Sequence, residues 1–402
     1  MLLAAPVFAQ HELMEEDALL WGWNRKYNNQ LRIDYTYFVN SNSITNGFVN
    51  TSFGGGHLDS DLKQAVTDKL GSNNRVGVEF DGRLQYKHVG EKLNLLVGLR
   101  SRDHLNGRFS DGLFNVILWG NAPYAGDQLD FSPFKISYFH TQELSVAVEK
   151  ANYDNGIVLG GGISYLKGSR FAQAEITRGD FFTAEYGAHV ELDLAMEYAY
   201  ADASDSRLGS WYGNGVALQG WLYKELGDAM LVASISDLGM VSWSDLTSYK
   251  ADTTYFFEGI EVENILELDD SLFNDTQTDS LPAALDLVAT SGSQTYFLPA
   301  DINLRYVQPI GDKTNLMVGL RQLLNANYRP RISGTVAHRL GDSFALKGTL
   351  AFGGYSNLDV AAGAVFDSGR KFRLSLDLYY LETLISSKTA GQGISAAMMW
   401  RF

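Results

Sequence analysis

Seven histidines, His11, His57, His88, His104, His140, His189 and His338, are the first places to look for chemistry. No His-Glu-x-x-His pair occurs, the spacing that sets two imidazoles on one helix face for zinc. His140 and Glu143 could share a ligand only if their segment bent, because a strand sends residues three apart to opposite faces. Asp103 and His104, between Ser101 and Ser110, are the residue types of an acid–base–nucleophile site. Neighbours on a strand point apart, however, so a plain polar segment is the better reading. Asp269, Asp270, Asn274, Asp275 and Asp279 supply oxygens that suit calcium, but their spacing matches no calcium loop and reads as solvated chain. Gly391-Gln392-Gly393-Ile394-Ser395-Ala396 resembles a dinucleotide fingerprint only superficially, since a strand and not a helix follows. Cysteine is absent, which removes thiol nucleophiles, thiolate metal sites and disulfides together. The expectation is a protein that is not an enzyme, with no catalytic residue, metal or cofactor.

The elements that hold these residues say more. The chain has 402 residues and a formal net charge of −15, which argues against a nucleic-acid partner, whose binding needs a basic surface. Glycine is plentiful at 40 and proline scarce at 7, with 21 tyrosines and 22 phenylalanines, a composition that suits strands and interfacial aromatic belts. Residues 1–9, Met-Leu-Leu-Ala-Ala-Pro-Val-Phe-Ala, read as the end of a signal peptide that lacks its basic start, cut near Gln10. No later apolar run is long enough for a membrane helix, so a membrane location would require a closed barrel, the other structure that satisfies every backbone group in lipid.

Period-two alternation recurs from end to end. Leu31, Ile33, Tyr35 and Tyr37 alternate with Arg32, Asp34, Thr36 and Phe38. Val76, Val78, Phe80, Leu84 and Tyr86 alternate with Arg75, Glu79, Asp81, Arg83, Gln85 and Lys87. The same rhythm runs through 191–200, through Asp301, Ile302, Asn303, Leu304 and Arg305, and through 372–380. One face is apolar and the other carries full charges. Many segments reach ten residues or more, the length of a tilted membrane strand and about twice that of a soluble one. Short breaks at Val89-Gly90-Glu91, Asp154-Asn155-Gly156, Leu226-Gly227-Asp228, Gly311-Asp312-Lys313, Leu340-Gly341-Asp342 and Asp367-Ser368-Gly369 read as tight hairpin turns. Ile394, Ala396, Met398, Trp400 and Phe402 share one face, and a last strand with Trp400 and Phe402 resembles the signal read by the barrel-assembly machinery. The strand count comes to about 14, even as bacterial barrels are. Three stretches have helical spacing instead: 59–70 with Asp59 as N-cap, 110–118, and 258–268. They read equally as a hatch in the lumen, a periplasmic patch or ordinary loop helices.

The stretch Leu231 to Ile260 carries Ser234, Asp237 and Gly239 at a strand end, then Trp243, Phe257, Gly259 and Ile260. It resembles a family of uncharacterised outer-membrane proteins from the Bacteroidota, related to the FadL and PorV barrels. Trp119-Gly120-Asn121, Gly162 to Gly168 and Phe297-Leu298-Pro299 are similar to other elements of that family. Its Asn-Pro-Ala element near the start is missing here. The resemblance implies an outer-membrane barrel of about 14 strands with an inward hatch.

The expected architecture is therefore all-β: a transmembrane antiparallel barrel over 10–402 with a plug-like N-terminal segment, in the bacterial outer membrane. The resemblance implies a FadL-like channel for hydrophobic or amphipathic molecules or, alternatively, a PorV-like partner of a secretion or surface-lipoprotein complex. Asp237, Trp243, Asp301 and Arg305 are the candidate ligand or lumen residues, with Ser234, Gly239 and Gly259 as motif positions. For Asp237 and Trp243 the preferred reading is a strand-end cap and a girdle anchor. The expected partners are outer-membrane lipid, the assembly machinery, a hydrophobic ligand, and a secretion-system or lipoprotein partner.

Overall fold

A computed structural model describes residues 29–152, 155–202, 212–258, 287–368, 371–384, 386 and 388–402. The signal peptide, the N-terminal plug, the acidic run at 269–279 and the helix expected over 258–268 fall outside these residues, apart from Glu258 itself.

The strands are β1 (Asn29–Ser41), β2 (Asn74–Val89), β3 (Asn94–Phe109), β4 (Gln128–Asp130), β5 (Phe134–Asn152), β6 (Ile157–Thr183) and β7 (His189–Asp202). They continue with β8 (Gly213–Leu226), β9 (Ala229–Glu258), β10 (Thr290–Phe297), β11 (Asp301–Ile310), β12 (Thr314–Leu323) and β13 (Arg329–Arg339). The last are β14 (Phe344–Gly354), β15 (Leu358–Asp367), β16 (Phe372–Tyr379) and β17 (Gln392–Arg401). The pairings are antiparallel, and β17 returns to pair with β1, with Leu31 opposite Trp400, so the sheet closes on itself. Three pairs of segments run end to end in one position of the wall. β4 and β5 both lie along β6. β7 and β8 lie along the upper and lower halves of β6 and β9. β10 and β11 lie along successive parts of β9. Among the described residues, seventeen segments thus lie in fourteen positions of the wall, against the count of about 14 read from the alternation.

The alternation sets the faces. Ile33, Leu99, Leu144, Val318, Leu350 and Leu376 are exposed, whereas Asp34, Arg100, Ser145, Met317, Thr349 and Asp377 on the adjacent positions are buried. A soluble sandwich hides its apolar face; here that face is the outer surface and the charges fill the inside. Aromatic side chains fringe the apolar band, among them Trp400, Phe402, Phe344 and Phe366 near the tight-turn end and Phe352, Tyr35 and Tyr165 toward the other. Only a barrel whose outside meets hydrocarbon is built this way. The protein is a transmembrane barrel of the bacterial outer membrane.

The hairpins after β2, β5, β8, β11, β13 and β15 are short, and lie at the end where β1 begins and β17 finishes. Gly227 and Gly311 take φ of 65° and 66° in two of these turns, a conformation that favours glycine. The opposite end carries the long loops and three helices: α1 (Asn46–Phe53), α2 (Ser60–Thr67) and α3 (Asp111–Trp119). Asp59 caps α2 as expected, its Oδ1 accepting from Leu62 N at 2.9 Å, and Ser110 caps α3 in the same way at 3.2 Å. The helices pack on one another, with Trp119 Nε1 donating to Thr67 Oγ1 at 2.8 Å and the Phe48 and Phe114 rings 6.1 Å apart. They belong to the β1–β2 and β3–β4 loops, so the periplasmic-patch reading, which would put them at the tight-turn end, is not the one the fold follows.

Candidate functional site

The lumen is crossed by a set of charged side chains that alternation brings to one face. β2 and β3 form a hairpin in which Glu79 lies opposite His104, Asp81 opposite Arg102 and Arg83 opposite Arg100, all pointing inward. Arg102 Nη2 donates to Glu79 Oε2 at 3.1 Å, His104 Nδ1 lies 3.0 Å from the same oxygen, and Arg100 Nε donates to Asp81 Oδ2 at 2.8 Å. From the far wall Asp237 completes the set: Arg100 Nη1 reaches its Oδ1 at 2.9 Å, and Arg102 Nη1 its Oδ2 at 2.8 Å. Three staves, β5, β6 and β8, separate β3 from β9 by the shorter way round the ring, so these bonds span the lumen and do not run along the wall.

Asp237 reaches inward because β9 bulges there. Leu218 pairs with Leu238 and Gly220 with Ile235, so Ser236 and Asp237 together face the single residue Gln219. Asp237 takes φ of 55°, a left-handed conformation that aspartate tolerates better than most side chains. A bulge of this kind re-aims a side chain at the price of ladder regularity. On the other side of β9, residues 298–300 separate β10 from β11 at the same level, and Leu298 N still donates to Gly239 O at 2.9 Å.

Above the charges lies an apolar patch built from Phe139, Leu166, Phe171, Val241, Trp243, Leu246 and Leu298. The Trp243 ring sits 5.3 Å from that of Phe171 and against Gly168, where an added Cβ would come 2.3 Å from the indole. Gly160, the first of three consecutive glycines in β6, lies under Trp221 in the same manner. Between patch and charges is a cavity of about 10 Å³ lined on one side by Phe139, Leu166 and Leu298 and on the other by Arg100, Arg102, Glu143 and Asp237. A second cavity of about 40 Å³ is lined by Glu79, Arg321, Arg331, Tyr328, Tyr355 and Tyr380, with further residues of β1.

The candidate residues fall out as follows. Asp237 is no strand-end cap, because β9 continues through it to Glu258, and it is an inward ion-pair centre. Trp243 is no girdle anchor, being 0 % exposed inside the barrel, where a second β9 bulge opposite Ser293 keeps its neighbours packed inward. Asp301 and Arg305 both face the lumen, but Asp301 is held by Arg321, whose Nη2 donates to Oδ2 at 2.8 Å, and Arg305 by Asn303 at 3.4 Å. Ser234 is buried on the same inward face of β9, and Gly239 lies where a Cβ would meet Val216 O at 2.3 Å. Gly259 lies outside the described residues. Asp103 and His104 do point apart: Asp103 pairs outward with His140 at 2.9 Å. Glu143 faces the other way, its Oε2 3.4 Å from Arg100 Nη1, and Ser110 is a helix cap. Arg100, Arg102, Glu79 and Asp81 were not singled out as a site by sequence reasoning. Their signal was the pairing of Glu79-x-Asp81 with Arg100-x-Arg102 across a short turn, where hairpin register sets opposite charges side by side.

A family model matches residues 26–372. The chain belongs to that family, DUF5723, a family of unknown function. None of the curated proteins matches this DUF5723 chain. Among solved structures it is similar to a TodX deltaS2S3 mutant monoaromatic hydrocarbon channel, with 8 % identity over 93 % of this chain and 90 % of that one and a TM-score of 0.49. The Pseudomonas putida toluene transporter TodX gives 9 % identity, 93 % and 89 % coverage and a TM-score of 0.47. A Pseudomonas aeruginosa FadL homologue gives 11 %, 93 % and 90 %, and 0.44. Likeness at this level carries no weight for the barrel, which rests on strand pairing and on the outward apolar face.

Proposed function

We propose that the protein is a gated outer-membrane channel for amphipathic small molecules with an apolar body and an anionic head. The observation that carries this reading is the cleft between Phe139, Leu166 and Leu298 on one side and Arg100 and Arg102 on the other. An apolar wall beside two guanidinium groups complements such a solute at both ends. In the closed arrangement Asp237 occupies the guanidinium groups and the cavity is far smaller than the several hundred Å³ of a typical small-molecule site. Passage then requires a solute anion to displace Asp237 and the bulged part of β9 to withdraw. The test is uptake of a labelled fatty acid into liposomes holding the purified barrel. Wild-type uptake above empty vesicles, raised further by Asp237→Asn, is the expected result; uptake equal to empty vesicles for both proteins would overturn the reading.

The alternative, a non-transporting partner of a secretion or surface-lipoprotein complex, is favoured by a different observation. β6 and β9 run for 27 and 30 residues, and beyond the apolar band they carry, with β7 between them, an exposed ionic ladder of Arg178, Asp193 and Asp252. A lipoprotein co-purifying from native membranes in defined ratio, together with no uptake, would support this reading over the first. The kinship with Bacteroidota PorV proteins belongs to the same alternative. Recognition of the outward Trp400 and Phe402 by the assembly machinery is compatible with both.

A further inference from the structure

Inward cations in this barrel are, as a rule, given an acid. Lys87 has Glu149, Arg321 has Asp301, Arg331 has Asp359, and Lys347 has Asp377. Arg75 departs from the rule. It is 4 % exposed, and its Nε and Nη2 are buried without a hydrogen-bond partner. No carboxylate among the described residues pairs with it. Its backbone is fixed, with N donating to Asn42 Oδ1 at 2.6 Å and O accepting from Ser41 Oγ at 2.6 Å, so the position of the side chain follows from the wall.

What surrounds it makes the anomaly sharper. Arg108 lies directly opposite on β3, at the inward parity shared by Glu79 and His104, and its buried Nε is also without a partner. Like charges directly opposite in a sheet destabilise it. A third guanidinium, that of the exposed Arg329 at the start of β13, is brought to the same side of the lumen by its neighbours: Asn327 N donates to Asn106 Oδ1 of β3 at 3.2 Å, and the Tyr328 ring lies 5.0 Å from that of Tyr355, which covers Gly77 of β2. A desolvated, unpartnered guanidinium is destabilising, because its lost hydration is not replaced by hydrogen bonds. Three arginines without an acid among the described residues are out of character in a chain of net charge −15. An oxyanion set among them would accept from the idle N–H groups and offset the repulsion in one step, through the paired fork geometry that arginine offers to phosphate.

We propose that Arg75, Arg108 and Arg329 form a binding site for a phosphate-type oxyanion at the loop-bearing mouth of the lumen. The site is separate from the Arg100–Arg102–Asp237 bridge and holds whether or not the barrel carries amphipathic cargo. The phosphate group belongs either to a soluble solute at the mouth or to a lipid headgroup that reaches into it.

The experiment uses the purified full chain. In neutral detergent, inorganic phosphate is titrated against sodium chloride at matched ionic strength while thermal unfolding is followed. In parallel, nanodiscs of phosphatidylcholine with and without lipid A are compared. Arg75→Met keeps the stem of the side chain and removes the charge; the less buried Arg108→Gln serves if the first variant fails to fold. The expected result is a rise in Tm with phosphate and none with chloride, and a loss of about tenfold or more in phosphate affinity in either variant. Without phosphate, Arg75→Met should melt no lower than wild type. Stabilisation by inorganic phosphate assigns a soluble anion; stabilisation by lipid A alone, lost in the variants, assigns a headgroup. Equal shifts with phosphate and chloride and none with lipid A, or an undiminished response in the folded variants, overturn the site.

Discussion

Asp237 of β9 and Arg102 of β3 face each other across the lumen, with Arg102 Nη1 donating to Asp237 Oδ2 at 2.8 Å. Arg100 shares the same carboxylate, so one bulged aspartate holds two opposing guanidinium groups. Removing one partner of a buried pair costs about 3–5 kcal/mol, because the other charge is left without compensation. Asp237→Asn keeps the shape and part of the hydrogen bonding, so it should fold and lose less. Its expected signature is functional: higher single-channel conductance in planar bilayers than wild type. Unchanged conductance, with unchanged stability to urea, would mean the bridge neither closes nor braces the lumen.

Trp243 owes its place to a residue with no side chain. Gly168 lies under the indole, where a Cβ would approach to 2.3 Å, and Gly213 lies beneath it at 2.9 Å. Gly168→Val should therefore expel the ring or distort β6, a loss of about 1–3 kcal/mol typical of overpacking. Gly348→Ala is the control, since nothing lies within 4 Å of its added Cβ. Urea unfolding followed by tryptophan fluorescence distinguishes them. Equal midpoints for the two variants would show that Trp243 is not held by that contact.

The barrel was legible in the sequence because lipid on one side and charge on the other impose a strict two-residue period. Leu31, Ile33 and Tyr35 against Arg32 and Asp34 already state both faces, and glycine-bearing turns such as Leu226-Gly227-Asp228 state the register. Asp237 escaped that logic because a bulge adds a residue and breaks the period at the point where it matters. Trp243 was misplaced for the same reason: an aromatic near the end of an apolar run suits a girdle as well as a core, and the bulge at Ser236 and Asp237 shifts the inward positions of β9 from even to odd, which turns Trp243 inward. The helix α1 was silent, since Asn46-Gly47-Phe48-Val49-Asn50-Thr51-Ser52-Phe53 is poor in helix formers. Its cap is local, Thr45 Oγ1 accepting from Phe48 N at 3.4 Å, and tertiary contact adds the bond from Asn46 Nδ2 to Gly391 O at 2.7 Å.

The absence of cysteine allows the orientation to be read directly. Outer-membrane barrels keep short turns on the periplasmic side and long loops outside. Tyr186, fully exposed in the β6–β7 connection, belongs to the loop-bearing end, and Asp228 to a tight turn at the other. On intact cells an impermeant maleimide should label Tyr186→Cys and spare Asp228→Cys until the outer membrane is opened. Labelling of Asp228→Cys alone would invert the barrel.

Leu350 and Leu384 are both strongly exposed, at 60 % and 79 %, yet they should respond differently to the same change. Leu350 lies on the outer face of β14 between Gly348 and Phe352, within the apolar band. Leu384 ends a short helical turn in the connection from β16 to β17, at the loop-bearing end. If the outer face meets hydrocarbon, an arginine at Leu350 must be stripped of water, at about 2–4 kcal/mol near the bilayer midplane, whereas an arginine in an exposed loop costs close to nothing. Equilibrium unfolding in phospholipid vesicles should therefore show a large loss for Leu350→Arg and almost none for Leu384→Arg. In detergent, where water reaches the band more easily, the gap should narrow. Equal effects in vesicles would place Leu350 in water and overturn the lipid-facing assignment of the strand.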